Sequence, residues 1–588
     1  MKRFLSLLFV LVLSLPFFSF AGCGTGTVDY DPDNFIADTS NPQIVKEKIT
    51  IKMFVPKASI QGQWEDMFIF RYMEELTNIH VEFEEVMLSS YSEKRGLRWE
   101  SKKDPTDAFM LGNNADEVTQ ASALGALTPL NDPEATDGYS GNYGSLIDNY
   151  MPNYKKWLEK YDEIELATTQ ADGNIYSFSS VSTLYGGFAT QYLNKKWLEK
   201  TDWYAQNSRL PETIEELEIV LTEFSEKDMN GNGDRNDEIP LSYYTTDETK
   251  NFLMSAFGFV GTGVEVDTRE KIWDGTAWVS NPTYDQVVWV PTTDAYRTYL
   301  TTLRRWYENG LIDPNIYEND AQDLAAKGYA ERLGCFSSAG AFLVVGEDLA
   351  SDYVAIGPLT SSVSQTKMWY QYSSQFDPTI MVIPQTPPYK REIARWLDFF
   401  YDEANVALQS YGEEGVHWDW DLREDGTKGD GSLETDTWHF NVPEGMERET
   451  YRATLTYSAG LGGRILETEW NMRESTPIQA QVFKDRQTYV DYLKPSLPPL
   501  IYTSEQMTLI TEVETAIGTV MSNSTAYFIT DVNDSKGEYD PNKDADWESF
   551  VSKMKNAGNS TIRGYEALCE QYQAAYDTYL QKRAAMQQ

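Results

Sequence analysis

Apolar and polar positions alternate over residues 49–55, and this period of two predicts a strand. Residues 64–76 carry their apolar side chains at helical spacing, and residues 79–84 alternate again. Strand, helix and strand in that order predict a βαβ unit and a parallel sheet. Short strand-like runs follow at 108–111, 187–193, 335–342 and 354–356. Residues 215–224 read as part of a helix. The last third of the chain is helix-rich, with helical spacing over 392–411, 503–520 and 561–582. No short repeat, coiled coil or low-complexity tract is present. The predicted class is α/β with helical additions.

The start of the chain carries a different pattern. Met1-Lys2-Arg3 is basic, and residues 4–20 are almost wholly apolar. Ala21-Gly22-Cys23 closes the segment. This is the pattern of a secretory signal peptide spanning 1–22. The ending resembles a bacterial lipobox, with Phe20 where Leu is usual, and that resemblance implies acylation of Cys23. Residues 25–47 are polar, rich in Asp, Asn and Pro, and read as a tether from lipid to folded body. No later stretch is long and apolar enough for a membrane span.

Composition narrows the function. The 588 residues hold 91 acidic and 49 basic side chains, a formal net charge of −42. Such a balance weighs against nucleic acid as a partner, because phosphate binding needs clustered Lys and Arg. Three cysteines cannot build a disulfide scaffold. Cys335 and Cys569 could pair or stay buried and free. The length suits more than one lobe.

One loop carries metal-binding chemistry. After the helical residues 213–226, oxygen donors recur at alternate positions: Asp228, Asn230 and Asn232. Gly233 stands where a tight calcium loop turns, and the backbone carbonyl of Asp234 suits the seventh position. Asp237 or Glu238 would close the ring with a carboxylate. A strict EF-hand has Glu at its twelfth position, where this chain has Ile239. The expected role is structural Ca²⁺.

Several passages together resemble one family. These are Asp172-Gly173-Asn174-Ile175-Tyr176, Asn194-Lys195-Lys196-Trp197-Leu198, and Pro211-Glu212-Thr213 ahead of the Asp228 loop. Trp306-Tyr307-Glu308-Asn309-Gly310-Leu311, Tyr411-Gly412-Glu413-Glu414-Gly415-Val416-His417 and Gln573-Ala574-Ala575-Tyr576 continue the match. The chain resembles the large lipoprotein solute-binding components of carbohydrate ABC importers, the extracellular family 1 type with a calcium loop. The resemblance implies a periplasmic-binding-protein-like fold, two α/β lobes joined by a hinge with ligand in the cleft. It implies a first lobe of about 48–175 plus a return segment after about 345. The second lobe would hold 180–340 and much of 430–588. It further implies a monomer on the extracellular face of the membrane, anchored by its lipid and delivering ligand to a permease.

Sugars offer apolar C–H faces to aromatic rings and hydroxyls to polar side chains. Candidate ligand residues are therefore Trp99, Asn113, Asn114, Tyr185, Trp289, Trp369, Tyr372 and Trp418, where aromatic and polar positions mix. Asn113-Asn114 follow a predicted strand, the usual ligand position in open α/β sheets. A neutral oligosaccharide is the expected ligand. A binding protein for peptides or other non-sugar solutes is the alternative, and a surface lipoprotein of purely structural role another. A secreted glycoside hydrolase needs two convergent carboxylates, which no motif marks, so no enzyme activity is expected.

Overall fold

The computed structural model describes residues 30–57, 61–99, 106–111, 115–137, 139, 141–182, 190–243, 253–371, 376–456, 463–464, 473–558 and 563–586. In chain order the strands that build the two main sheets and their connection are β1 (Ile49–Lys57), β2 (Ile79–Met87), β3 (Ala108–Met110), β4 (Ser177–Ser182), β5 (Thr190–Asn194) and β6 (Ile239–Leu241). They continue as β7 (Leu333–Ser338), β8 (Tyr353–Ala355), β9 (Trp369–Tyr370), β10 (Phe376–Val382), β11 (Gly463–Arg464) and β12 (Leu493–Lys494).

The first sheet has the order β11-β4-β10-β3-β1-β2. β1 pairs in parallel with both β2 and β3, as the alternating pattern predicted. Between β1 and β2 lies α1 (Phe68–Thr77), which buries Ile69, Phe70, Met73 and Thr77 on one face. It stops at Asn78, whose left-handed φ of 64° turns its N–H back to the Glu74 carbonyl. The antiparallel β10 shifts register between Asp377 and Met381, around Pro378, where a missing N–H does least harm.

The second sheet has the order β8-β5-β7-β6. One helix on it is α2 (Ile214–Glu226), capped by the Thr213 side chain, which accepts the Glu216 N–H. Gly334 lets that helix approach: a Cβ there would stand 2.6 Å from the Phe224 ring and 2.8 Å from the Pro240 carbonyl. On the same core lie α3 (Asp294–Glu308), α4 (Ser504–Thr530) and α5 (Gly564–Met586), through Leu300, Trp306, Ile510, Phe528 and Leu568. The two sheets thus own separate cores.

Chain order alternates between the sheets among the described residues. β4 leads to β5, β9 leads to β10, and the chain returns between β11 and β12, which pairs with β9. The hairpin of Trp418–Trp420 with Trp438–Phe440 packs beside the first sheet, with Phe68 of α1 against its cluster. From Leu493 onward the chain lies with the second core.

Three expectations need correction. Residues 30–47 are no loose tether. Phe35, Ile44 and Val45 are buried in the first core, Ile44 donates to the Thr77 carbonyl, and Arg395 donates to the carbonyls of Ile36 and Asn41. Residues 392–411 form no single helix; the helix Lys390–Asp398 breaks into two short 3-10 turns before Val406–Tyr411. The run at 335–342 is strand only to Ser338, and Phe342 opens a short helix. Cys335 and Cys569 are both free thiols. Among the described residues no helix is long and apolar enough to cross a membrane. Cys23 lies outside the described residues.

Candidate functional site

Strand directions define where a ligand can sit. β1, β3 and β4 run parallel, with β10 antiparallel between β3 and β4, so their carboxyl ends share one edge of the first sheet. In the second sheet β5 begins, and β6, β7 and β8 end, at one edge. β4 ends at the first of these edges and β5 begins at the second. Ligands of open α/β sheets bind outside such strand ends. At the flank, helices of the second core reach the first lobe. α4 packs on the helix Ala115–Ala123, α5 packs on the helix Asp162–Thr168, and Lys582 donates to the Thr169 carbonyl at 3.4 Å.

The second edge is polar yet buried. Thr190, Gln191, Ser337 and Ser338 sit there with at most 8% exposure. Tyr489 ties this edge to the connecting segments. Its hydroxyl accepts the Gln191 N–H at 3.1 Å and donates to the Ile356 carbonyl at 2.7 Å. Burial raises its pKa well above the ordinary tyrosine value, so it stays a protonated donor.

The predicted aromatic residues scatter. Trp369 is 3% exposed and stacks on Tyr489 with ring centroids 3.9 Å apart, so the partner ring covers one of its faces. Trp418 is buried in the hairpin cluster and donates its Nε1–H to the Gly412 carbonyl at 2.9 Å. Trp289 is half-buried against the second core, in a strand that packs on α5. The Trp99 side chain, and Asn113, Asn114, Tyr185 and Tyr372, lie outside the described residues. Sequence reasoning missed Gln191, Ser337 and Tyr489. Their signal is a strand pairing between distant segments, which no local pattern carries.

The Asp228 loop is the best-defined polar constellation. Asp228 accepts the N–H of Gly231 at 2.7 Å and of Gly233 at 2.9 Å. Gly231 and Gly233 adopt φ of 78° and 92°, conformations that suit glycine. Asn230 and Asn232 accept the N–H groups of Asn232 and Asp234. Both amides also point at Asp237, with Nδ2 at 3.4 and 3.0 Å from its carboxylate oxygens. Glu238 accepts the Met229 N–H on Oε1 at 2.7 Å, while its Oε2 is buried with no partner among the described residues. A hard cation suits this all-oxygen donor set, and the orphaned Glu238 oxygen is the atom a cation would satisfy. Among the described residues no three His, Cys, Asp or Glu side chains are grouped to hold a metal by themselves.

A superficially similar acidic loop at 421–436 behaves differently. There Arg423 fills the centre, donating to Asp436 at 2.7 and 2.8 Å and to Asp430 at 2.7 Å. The guanidinium holds the Asp436 carboxyl far below the usual range.

No family model matches the chain. FusA of Streptococcus pneumoniae serotype 4, a fructooligosaccharide ABC transporter substrate-binding protein, is 25% identical over 575 residues, 95% of each chain. The chain is related to ABC-transporter substrate-binding proteins. Lipoprotein LipO of Bacillus subtilis is 25% identical over 302 residues, about half of each chain (50% and 51%). The substrate-binding fold is shared with the S. pneumoniae FusA complex with kestose, with a TM-score of 0.64 and 23% identity over 91% of this chain and 100% of that one. A FusA EF-hand mutant in complex with fructo-nystose superposes with a TM-score of 0.63 at 22% identity, covering 91% and 100%. A human-milk-oligosaccharide (HMO) binding solute-binding protein from Bifidobacterium longum infantis gives 0.66 at 17% identity, covering 90% and 99%. The two sheets with their separate cores thus belong to a periplasmic-binding-protein-like fold.

Proposed function

We propose that this protein is the extracellular substrate-binding lipoprotein of an ABC importer, capturing a neutral oligosaccharide by closure of its two lobes. The observation that carries this reading is the similarity to FusA along 95% of the chain, joined to a fold with two separate cores and one polar edge at the connection. A binding protein holds its ligand between such lobes and presents the closed form to its permease. The net charge of −42 disfavours an anionic polysaccharide. In this reading the protein works by binding, closure and release.

In this reading Cys23 carries the lipid and holds the protein, as a monomer, on the outer face of the membrane. Asp228, Asn230, Asn232, the Asp234 carbonyl, Asp237 and Glu238 hold one structural Ca²⁺. The ion supplies charge that joins the exit of α2 to the entry of β6. Support comes from the orphaned Glu238 oxygen and from the EF-hand of a related protein.

A thermal-shift screen tests the function. Kestose, maltotriose and other neutral oligosaccharides, a uronate oligosaccharide and short peptides are added in turn. A rise in melting temperature with at least one neutral sugar is expected. A rise with peptides alone, or with none of the panel, would overturn the reading.

A further inference from the structure

Gln191 and Ser337 are directly opposed in the β5–β7 ladder, so their side chains leave the sheet on the same face. Both are buried, Gln191 at 1% and Ser337 at 4% exposure. Gln191 Nε2 donates to Cys335 Sγ at 2.9 Å, one pair further along that face. Gln191 Oε1 and Ser337 Oγ are buried without any partner among the described residues. An unsatisfied buried polar atom destabilises the fold, so two on facing residues call for a partner. Both stand at the polar edge where the second sheet receives the connection from β4. The Gln191 backbone is bonded there to Tyr489, which in turn stacks on Trp369 of β9.

One chemical group answers both atoms. A hydroxyl donates one hydrogen bond and accepts another. Set between the two side chains, it would donate to Gln191 Oε1 and accept from Ser337 Oγ. We propose that Gln191 and Ser337 are specificity-determining residues that together read one hydroxyl of the bound sugar at the connection-facing end of β5 and β7. This rests on the oligosaccharide reading above and deepens it. The pair is sealed in this arrangement, so the hydroxyl enters when the lobes part and is enclosed when they close. A closed form without ligand would leave both atoms orphaned, which favours the open form until sugar arrives.

A buried water shares this chemistry, and the experiment separates the two sources. Calorimetric titration of the full mature chain uses the tightest-binding sugar from kestose, maltotriose and the other neutral oligosaccharides. Ser337→Ala and Gln191→Leu are compared with the wild type, with melting temperatures recorded without ligand. Ser337→Ala is the mild variant, because it only removes an orphaned hydroxyl. The expected result is an affinity loss of about tenfold for each variant, and for Ser337→Ala a ligand-free melting temperature that does not fall. A deoxy sugar lacking the recognised hydroxyl should bind the wild type about tenfold more weakly and Ser337→Ala with little further loss. Wild-type affinity in Ser337→Ala would overturn the proposal, and a lowered melting temperature beside it would assign the pair to an internal water. A wild type that binds none of the sugars would instead overturn the functional reading, and this proposal with it.

Discussion

Glu238→Gln tests the calcium reading, because the amide retains an oxygen for the Met229 N–H while the charge is lost and the second oxygen becomes an amide nitrogen. In the wild type, Asp228, Asp237 and Glu238 bring three carboxylates to one loop, and the second Glu238 oxygen is buried and unpartnered. A ligand held only by the folded state at 100 times its Kd stabilises it by about 2.7 kcal/mol. With 1 mM free Ca²⁺ that corresponds to a Kd of about 10 µM, inside the range of oxygen-ligated loops. At about 2–4 °C per kcal/mol for a lobe of ~200 residues, chelation should lower the wild-type melting temperature by about 5–10 °C. Losing one carboxylate and raising Kd about a hundredfold leaves roughly 0.4 kcal/mol at the same concentration. Glu238→Gln should therefore melt near the chelated wild type, with or without Ca²⁺. The assay is differential scanning fluorimetry in 1 mM CaCl₂ and in excess EDTA. A wild type whose melting temperature ignores EDTA would refute the calcium account. A Glu238→Gln variant that keeps the full response would refute the role of Glu238.

Other consequences follow from single side chains. Trp369→Ala removes a ring that is 3% exposed and stacked on Tyr489, and should cost about 3–5 kcal/mol in urea unfolding; an unchanged midpoint would show that the ring does not pack as described. Asp398 is buried under the N–H groups of Asn153 and Tyr154, and burial pushes its pKa up to about 6 from an ordinary 3.8. The folded value lies above the unfolded one, so its charged form opposes folding, a penalty that grows from about pH 4 to pH 6 and is complete above. Asp398→Asn should therefore gain on the wild type by about 2 kcal/mol between pH 4 and pH 7, and an equal gap at both pH values would contradict this. Cys23→Ser should move the expressed protein from the membrane fraction to the medium, read by fractionation and immunoblot; full retention on the membrane would exclude the lipid anchor.

Local patterns made much of the architecture legible. β2 alternates because the pleat turns successive side chains to opposite faces, while β1, paired on both sides, buries Met53 to Pro56 in succession. The hydrogen-bonded turn at Asp228 was readable because its Asp, Asn and Gly residues lie within one short stretch. Residues 30–47 were not, since Phe35, Ile44 and Val45 sit among Asp, Asn and Pro and are held by Arg395 from far along the chain. The break after Asp398 was hidden by apolar residues that continue through Phe399–Tyr401 at near-helical spacing. The ligand cleft was least legible. Trp369 and Trp418 look alike as exposed platforms in a sequence, yet one is stacked on Tyr489 and the other is enclosed in its hairpin cluster. Gln191 and Ser337 gain their meaning only from the β5–β7 register, which is set by tertiary packing.

The central claim is capture of a neutral oligosaccharide by lobe closure. Small-angle X-ray scattering during a calorimetric titration with the best sugar of the panel tests it most directly. The account predicts saturable heat at one ligand per chain and a smaller radius of gyration at saturation. Absence of binding heat across the neutral sugars, or binding that leaves the scattering profile of the free protein unchanged, would contradict it.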